Sequence, residues 1–258
     1  MQMLAQSFTL AVFLAATVAA KKKIGVISDL HLNTAYAATA SVDDNCIAVG
    51  TSGPDDISAP IGRIGCDPSI TMVDFMMQRF NEAFGSVDVL LVTGDHIAHH
   101  QSPHLGKEQP GDWAKIQANL EAASDLLRKN FPELLVLMNI GNNDGYHDQG
   151  PREEQKDEFY SYLYDLWFTQ HPGNAEIKDS VKDTFMYAGY YRADISETVS
   201  VLTLDNQYMD DVNDESVVKN EAEDQLDWLE AQLVSGPASG RKFILSGHTY
   251  AGTRYHGA

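Results

Sequence analysis

The chain has 258 residues, 43% of them hydrophobic, and carries a formal net charge of −19 from 18 basic and 37 acidic side chains. That length suits one large domain or two small ones, and no linker-like stretch divides it, so one domain is expected over residues 21–258. So acidic a surface excludes sequence-independent nucleic-acid binding, which needs cations to displace counterions, but it leaves anionic phosphate substrates open, because bound metal ions reverse the local potential.

Residues 1–20 are uncharged in their side chains, hold an apolar run from Phe8 to Val18, and close on Val18-Ala19-Ala20 before three lysines. This pattern predicts a signal peptide cleaved after Ala20 and a soluble, exported mature chain. Residues 23–28 read as a buried strand, short and apolar. A Gly/Pro/Asp-rich loop follows, flanked by the two cysteines, Cys46 and Cys66. In an oxidising compartment these are expected to form a disulfide. Asp67-Pro68 read as the N-cap and first position of a helix with Met72, Val73, Phe75, Met76, Phe80 and Phe84 on its core side. A second strand is expected at 87–93, an amphipathic helix at 113–131, a third strand at 134–140 and an aromatic-rich helix at 153–170. Alternation of apolar and polar residues at 184–193 and 198–204 predicts two strands of a second sheet. The acidic stretch 210–223 reads as a solvated turn and helix start. Residues 222–233 then form a helix with Leu226, Leu229 and Leu233 on one stripe, stopped by Gly236-Pro237, and the last strand is 242–246. No Asn-x-Ser/Thr sequence occurs, so ordinary N-glycosylation is not expected.

Four polar clusters end four of the expected strands: Asp29-Leu30-His31, Gly94-Asp95-His96, Gly141-Asn142-Asn143-Asp144 and Gly247-His248. Ligands of open α/β sheets bind at strand C-termini, and converging carboxylate, imidazole and carboxamide donors suit a pair of divalent cations. Asp29 and His31, two apart at a strand end, are expected to point the same way. Asp95 has a carboxylate able to bridge two metals, with Gly94 permitting close approach. Asn142 and His248 add a neutral oxygen and an imidazole. Each cluster alone also has a structural explanation, such as a cap, a turn or a surface histidine.

Taken in order, Asp-x-His, Gly-Asp-x, Gly-Asn-x-Asp and Gly-His resemble the calcineurin-like metallophosphoesterase superfamily. The resemblance implies an α/β fold, a two-sheet β-sandwich flanked by helices, with a dinuclear metal centre. By motif position Asp29 and His31 would bind the first metal, Asp95 would bridge, and Asn142 and His248 would bind the second. The cysteine pair, the run Gly94-Asp95-His96-Ile97-Ala98-His99 and Trp228 in the helix before Gly247-His248 resemble the acid sphingomyelinase-like phosphodiesterases. There a histidine four residues after the bridging aspartate faces the scissile phosphate, and His99 matches it; His96 and His100 read as bystanders. The implied chemistry is phosphoester hydrolysis assisted by two cations, zinc being expected, with manganese or iron also compatible with the donors. Ala98 stands where purple acid phosphatases would carry an iron-binding tyrosine.

Two departures bear on function. Asn143 replaces the histidine of Gly-Asn-His; it donates hydrogen bonds but no proton at neutral pH, and Gly-Asn-Asn-Asp also resembles the endopolyphosphatase branch, whose phosphate leaving group needs little acid assistance. The family's terminal Gly-His-x-His is matched only by Gly247-His248-Thr249-Tyr250, so His248 reads as the earlier Gly-His motif and the terminal one would lie beyond Ala258; His256 is a weak substitute. The leading expectation is therefore a secreted or lysosome/vacuole-lumen phosphodiesterase. Its partner is a phosphate ester or polyphosphate, and a lipid substrate would bring peripheral membrane contact. A polyphosphatase and a metal-deficient, non-catalytic homologue are the alternatives.

Overall fold

The structure, a computed structural model, describes residues 21–48, 53–54, 57–99, 112–145, 156–209 and 215–250. The leader, His100 and His256 lie outside the described residues. Two three-stranded sheets form the frame. In the first, β1 (Ile24–Ile27), β2 (Val89–Val92) and β3 (Leu135–Met138) run parallel with β2 in the centre. All four residues of β2 are buried, as expected for a strand covered on both faces. The second sheet pairs β4 (Tyr191–Asp194) antiparallel with β5 (Val199–Thr203), and β5 parallel with β6 (Lys242–Ser246).

The connections are helical. They are α1 (Ile70–Phe84), α2 (Trp113–Asn130), α3 (Lys156–Tyr164) continued by a π-helical turn (Asp165–Thr169), α4 (Lys178–Ala188) and α5 (Glu215–Ala238). Side chains of both sheets and of the first four helices enter one apolar core, in which Phe159, Tyr160, Trp167, Phe168, Phe185 and Tyr191 are the largest wholly buried members. Their rings meet mostly edge to face, for example Phe168 on Tyr191 at 5.2 Å and Phe168 on Phe185 at 5.0 Å. The aromatic-rich segment therefore packs inside the molecule, as its composition suggested.

Five local expectations are corrected. The α1 helix begins at Ile70, capped by the Ser69 hydroxyl, which accepts from the Met72 amide, so Asp67 is left for another task. Its buried stripe is Val73 and Met77, with Met76 and Phe80 partly covered. Phe75, two residues and about 200° around the helix from Val73, is exposed, as are Met72 and Phe84. Residues 184–188 belong to α4, because Val181, Phe185 and Ala188 are buried at helical spacing and outweigh the apparent alternation. Among the described side chains of α5, Glu221 and Gln225 are buried, with Trp228 half-covered against Tyr190. Leu226 and Leu233 of the expected stripe face solvent. The helix also runs past Gly236-Pro237 to Ala238.

The C-terminal edges of the sheets are stitched together by one amide. Asn139, just beyond β3, donates through Nδ2 to the carbonyls of Leu204 and Ser246, both at 3.0 Å, and accepts from the Ser246 hydroxyl. The ends of β3, β5 and β6 are thereby fixed relative to one another. Two of the polar clusters leave from the β3 and β6 ends, and the other two from β1 and β2.

Candidate metal centre

The loops after β1 and β2 continue side by side beyond their strands. The amides of Asp29, His31 and Leu32 donate to the carbonyls of Gly94, Asp95 and His96, and the Ala98 amide returns the pairing to Leu32. Backbone at this edge turns sharply. Asp29, His31 and Asp95 have φ of 55°, 40° and 53°, a left-handed region that costs a residue with a Cβ on the order of 1–2 kcal/mol. Such conformations persist where surrounding bonds enforce them. Asp29 and His31 are thus brought together by a tight turn, not by the extended strand end expected, yet Asp29 Oδ1 and His31 Nε2 lie 3.7 Å apart.

Glycine is required at two positions beside them. Gly94 has φ 101°, and a Cβ there would lie 2.8 Å from both the Gly141 nitrogen and His248 Nδ1. A Cβ on Gly141 would sit 2.2 Å from the Asp95 amide and carboxylate. The loops after β2, β3 and β6 touch through these two residues.

Asp95 is at the centre and buried. Its Oδ2 faces His31 Nε2 at 3.5 Å and its Oδ1 faces His248 Nε2 at 3.4 Å, while His248 Nε2 is also 3.0 Å from Asn142 Oδ1. The five residues expected to hold metal are therefore gathered at one edge. Ligand atoms of Asp29, Asp95 and His248 all lie within 4.8 Å of one another. Both histidines turn Nδ1 to a backbone carbonyl, His31 to Ile97 at 3.3 Å and His248 to Thr93 at 2.9 Å. These bonds put the neutral-ring proton on Nδ1 and aim the Nε2 lone pair inward, which is how protein frameworks prepare imidazole ligands. The donor set of carboxylate, imidazole and carboxamide fits divalent cations of the zinc, manganese or iron type.

Electrostatics follow from the same contacts. Burial works against ionisation of Asp95, but the hydrogen bond and charge of His248, the Asn143 amide and His31 together bring its carboxyl down to about 2. Burial also opposes a charged His248, yet the Asp95 carboxylate and the Thr93 carbonyl raise it to about 9. Asn143 gives its backbone amide to Asp95 Oδ1 at 2.9 Å and its side-chain Nδ2 to Oδ2 at 2.8 Å, so it acts on Asp95 in this geometry.

Several participants were not singled out from sequence. Asp144, wholly buried, accepts the amides of Asp95 at 3.0 Å, His96 at 2.7 Å, Ile97 at 3.3 Å and Gly141 at 2.8 Å. Burial pushes its carboxyl upward, but four N–H donors converging on acceptor-only oxygens favour the carboxylate. Asn206 accepts from the amides of His248 at 3.2 Å and Thr249 at 3.3 Å and so holds the β6 loop. Asp67 bonds His99. Its carboxyl sits below the ordinary range: burial raises it, and bonds from His99 and Asn45 more than offset that. A signal for Asp144 was present in the Gly-Asn-x-Asp spacing; for Asp67 and Asn206 no local pattern separates a bracing role from a cap or turn. The bystander His96 is structural: its Nε2 meets the Asn139 carbonyl at 2.9 Å and its ring packs on Trp167.

The calcineurin-like phosphoesterase family profile matches residues 22–257, nearly the whole chain. The chain belongs to the calcineurin-like phosphoesterase family. Family members depend on a dinuclear metal centre, and the Asp and His groups described above can bind metal. The chain is 24% identical over 250 residues to a sphingomyelinase phosphodiesterase C of Dictyostelium discoideum, covering 95% of this chain and 53% of that protein. It is 24% identical to an endopolyphosphatase of Schizosaccharomyces pombe, covering 86% of this chain and 40% of that one. Identity is also 24% to an acid sphingomyelinase-like phosphodiesterase 3b of Mus musculus, with 88% and 47% covered. The chain thus spans about half the length, or less, of these curated relatives.

Proposed function

We propose that this calcineurin-like phosphoesterase is a metal-dependent hydrolase of phosphodiester bonds, with Asp29, His31, Asp95, Asn142 and His248 as the metal ligands and His99 and Asn143 as the residues that act on substrate. The observation that carries the reading is the division of Asp95: one carboxylate oxygen faces His31 and the other faces His248. That disposition suits a carboxylate that would be shared by two cations, one held with His31 and one with His248, as in two-metal hydrolases. Bound cations would supply charge neutralisation on the phosphoryl oxygens and a more acidic water.

The chain's own residues do the rest. Asp144 and Asn206 fix the loops, so the ligand geometry is set before substrate arrives. Asn143, through Nδ2, orients the Asp95 carboxylate and can offer a hydrogen bond to a phosphoryl oxygen, but no proton. His99 packs on His31 at 4.1 Å between ring centroids and reaches solvent. It is positioned to stabilise charge on the phosphate or protonate the leaving oxygen. Zinc is the metal proposed, for an exported member of this family; the His, Asp and Asn donors are equally compatible with manganese or iron. Residence in the secreted or lysosome/vacuole compartment is proposed from the leader-like N-terminus and the Cys46–Cys66 disulfide.

A second reading, cleavage of polyphosphate, is favoured by Asn143: a phosphate leaving group departs without acid assistance, and an endopolyphosphatase is among the relatives. Zinc-loaded protein assayed on bis(p-nitrophenyl) phosphate, sphingomyelin and long-chain polyphosphate separates the two. Phosphodiester turnover that disappears in Asp95→Ala is the expected result. Turnover of polyphosphate alone favours the second reading, and equal rates for wild type and Asp95→Ala would refute both.

A further inference from the structure

His99 is held by a residue at the foot of the loop that the disulfide closes. Asp67 uses both carboxylate oxygens on it: Oδ1 lies 2.8 Å from His99 Nδ1, and Oδ2 accepts the His99 backbone amide at 2.6 Å. Asp67 is itself fixed by Asn45. The Asn45 Nδ2 donates to Asp67 Oδ2, and the Asp67 amide donates to Asn45 Oδ1, both at 2.6 Å. These residues adjoin the two cysteines, so the Cys46–Cys66 bond ties together the backbone on either side of the pair. Asn45 and Cys46 adopt left-handed φ of 52° and 56°, and Asn33 adds a bond from its Nδ2 to the Asn45 carbonyl at 3.2 Å. The brace therefore sits at the foot of the disulfide loop.

We propose that Asp67, braced by Asn45 and the adjoining disulfide, is the positioning residue for His99, selecting the ring tautomer and orientation with which His99 acts in phosphodiester hydrolysis. The inference rests on the function proposed above. An ionised carboxylate only accepts, so Nδ1 keeps a proton in both the neutral and the cationic ring; Nε2 is left for the substrate side, and the imidazolium is the form whose Nε2–H can donate to the phosphate or the leaving oxygen. Stacking on His31, with ring planes 13° apart, fixes the remaining rotation against a candidate metal ligand. The disulfide then supports the reactive apparatus through the residues that flank it.

Two readouts test this on the full zinc-loaded chain. Nitrogen-15 NMR of labelled histidine, with His99 assigned by His99→Gln, should give the Nδ1–H tautomer in wild type. In the isosteric Asp67→Asn, whose amide cannot accept at both positions, a mixture with Nε2–H is expected. An Nε2–H ring in wild type, or an unchanged spectrum in Asp67→Asn, would overturn the brace. In kinetics, Asp67→Asn should lower kcat about 10- to 100-fold, as loss of a partner behind an active-site group does, with KM changed less than about twofold. The loss should be larger for an alkyl phosphodiester than for the p-nitrophenyl ester, whose leaving group needs little acid. Asn45→Ala should produce the same pattern at smaller size. Equal losses on both esters in both variants, or losses confined to KM, would reduce the brace to a folding element. If wild type hydrolyses none of these esters the proposed function fails, while the NMR experiment still decides whether Asp67 sets the His99 ring.

Discussion

Asp144 shows how much a single buried carboxylate organises. It gathers amides from the loop after β2 and from Gly141 at the end of β3, and so fixes Asp95 and Asn142 relative to each other. Asp144→Asn presents an NH₂ group to N–H donors and forfeits half of these bonds. An unsatisfied buried donor costs about 1–3 kcal/mol, so thermal melting should drop by several degrees and metal affinity should weaken. An unchanged melting curve would show that the amides find other partners. At this scale the metal-ligand candidates were legible in sequence because each ends an apolar strand. Asp67, Asn139 and Asn206 were not, because a bracing role depends on partners dozens of residues away.

Helices and strands were legible where burial is carried mainly by apolar residues, on both faces in β2 and along one stripe in α2, and misread where polar side chains enter the core. Residues 210–223 look solvated by composition, yet Glu221 of α5 is buried and forms an ion pair with Lys156 at the start of α3. Removing one partner of a buried pair strands the other, at about 3–5 kcal/mol, whereas replacing both by apolar groups is often neutral. Glu221→Ala is therefore expected to destabilise by about that amount in urea unfolding, and Lys156→Met with Glu221→Leu to recover most of it. If the double variant is as unstable as the single one, the pair is a source of net stability and not merely of specificity. The same reasoning explains 184–188: the alternation was real in the letters, but Phe185 sits among Tyr160, Phe168 and Tyr191, and only a helix delivers it there.

Across the whole molecule, two buried groups give opposed pH dependences. His171 is 2% exposed with both ring nitrogens lacking a hydrogen-bond partner, and burial, aided by the charge of Arg128, lowers its pKa to about 4. Its unfolded value is 6.5, so as pH falls the unfolded chain binds this proton first. The stability it allows is complete above about pH 6.5, declines down to about 4 and is constant below, a span of about 3 kcal/mol. Asp205, raised by burial to about 7 despite the bond from Tyr160, acts in the opposite sense: stability is complete below 3.8 and declines as pH rises to about 7. Over pH 4–6.5 the two slopes offset. His171→Leu should therefore gain stability relative to wild type on acidification, and Asp205→Asn on moving toward neutrality, in denaturant titrations at fixed pH steps; parallel curves would contradict both. The central claim remains that the strand ends of the two sheets hold two cations about Asp95. Metal content per chain, measured by mass spectrometry after saturation with zinc and removal of excess, tests it most directly. Two equivalents in wild type and at most one in Asp95→Ala are predicted; fewer than two in wild type, or the same content in both proteins, would contradict it.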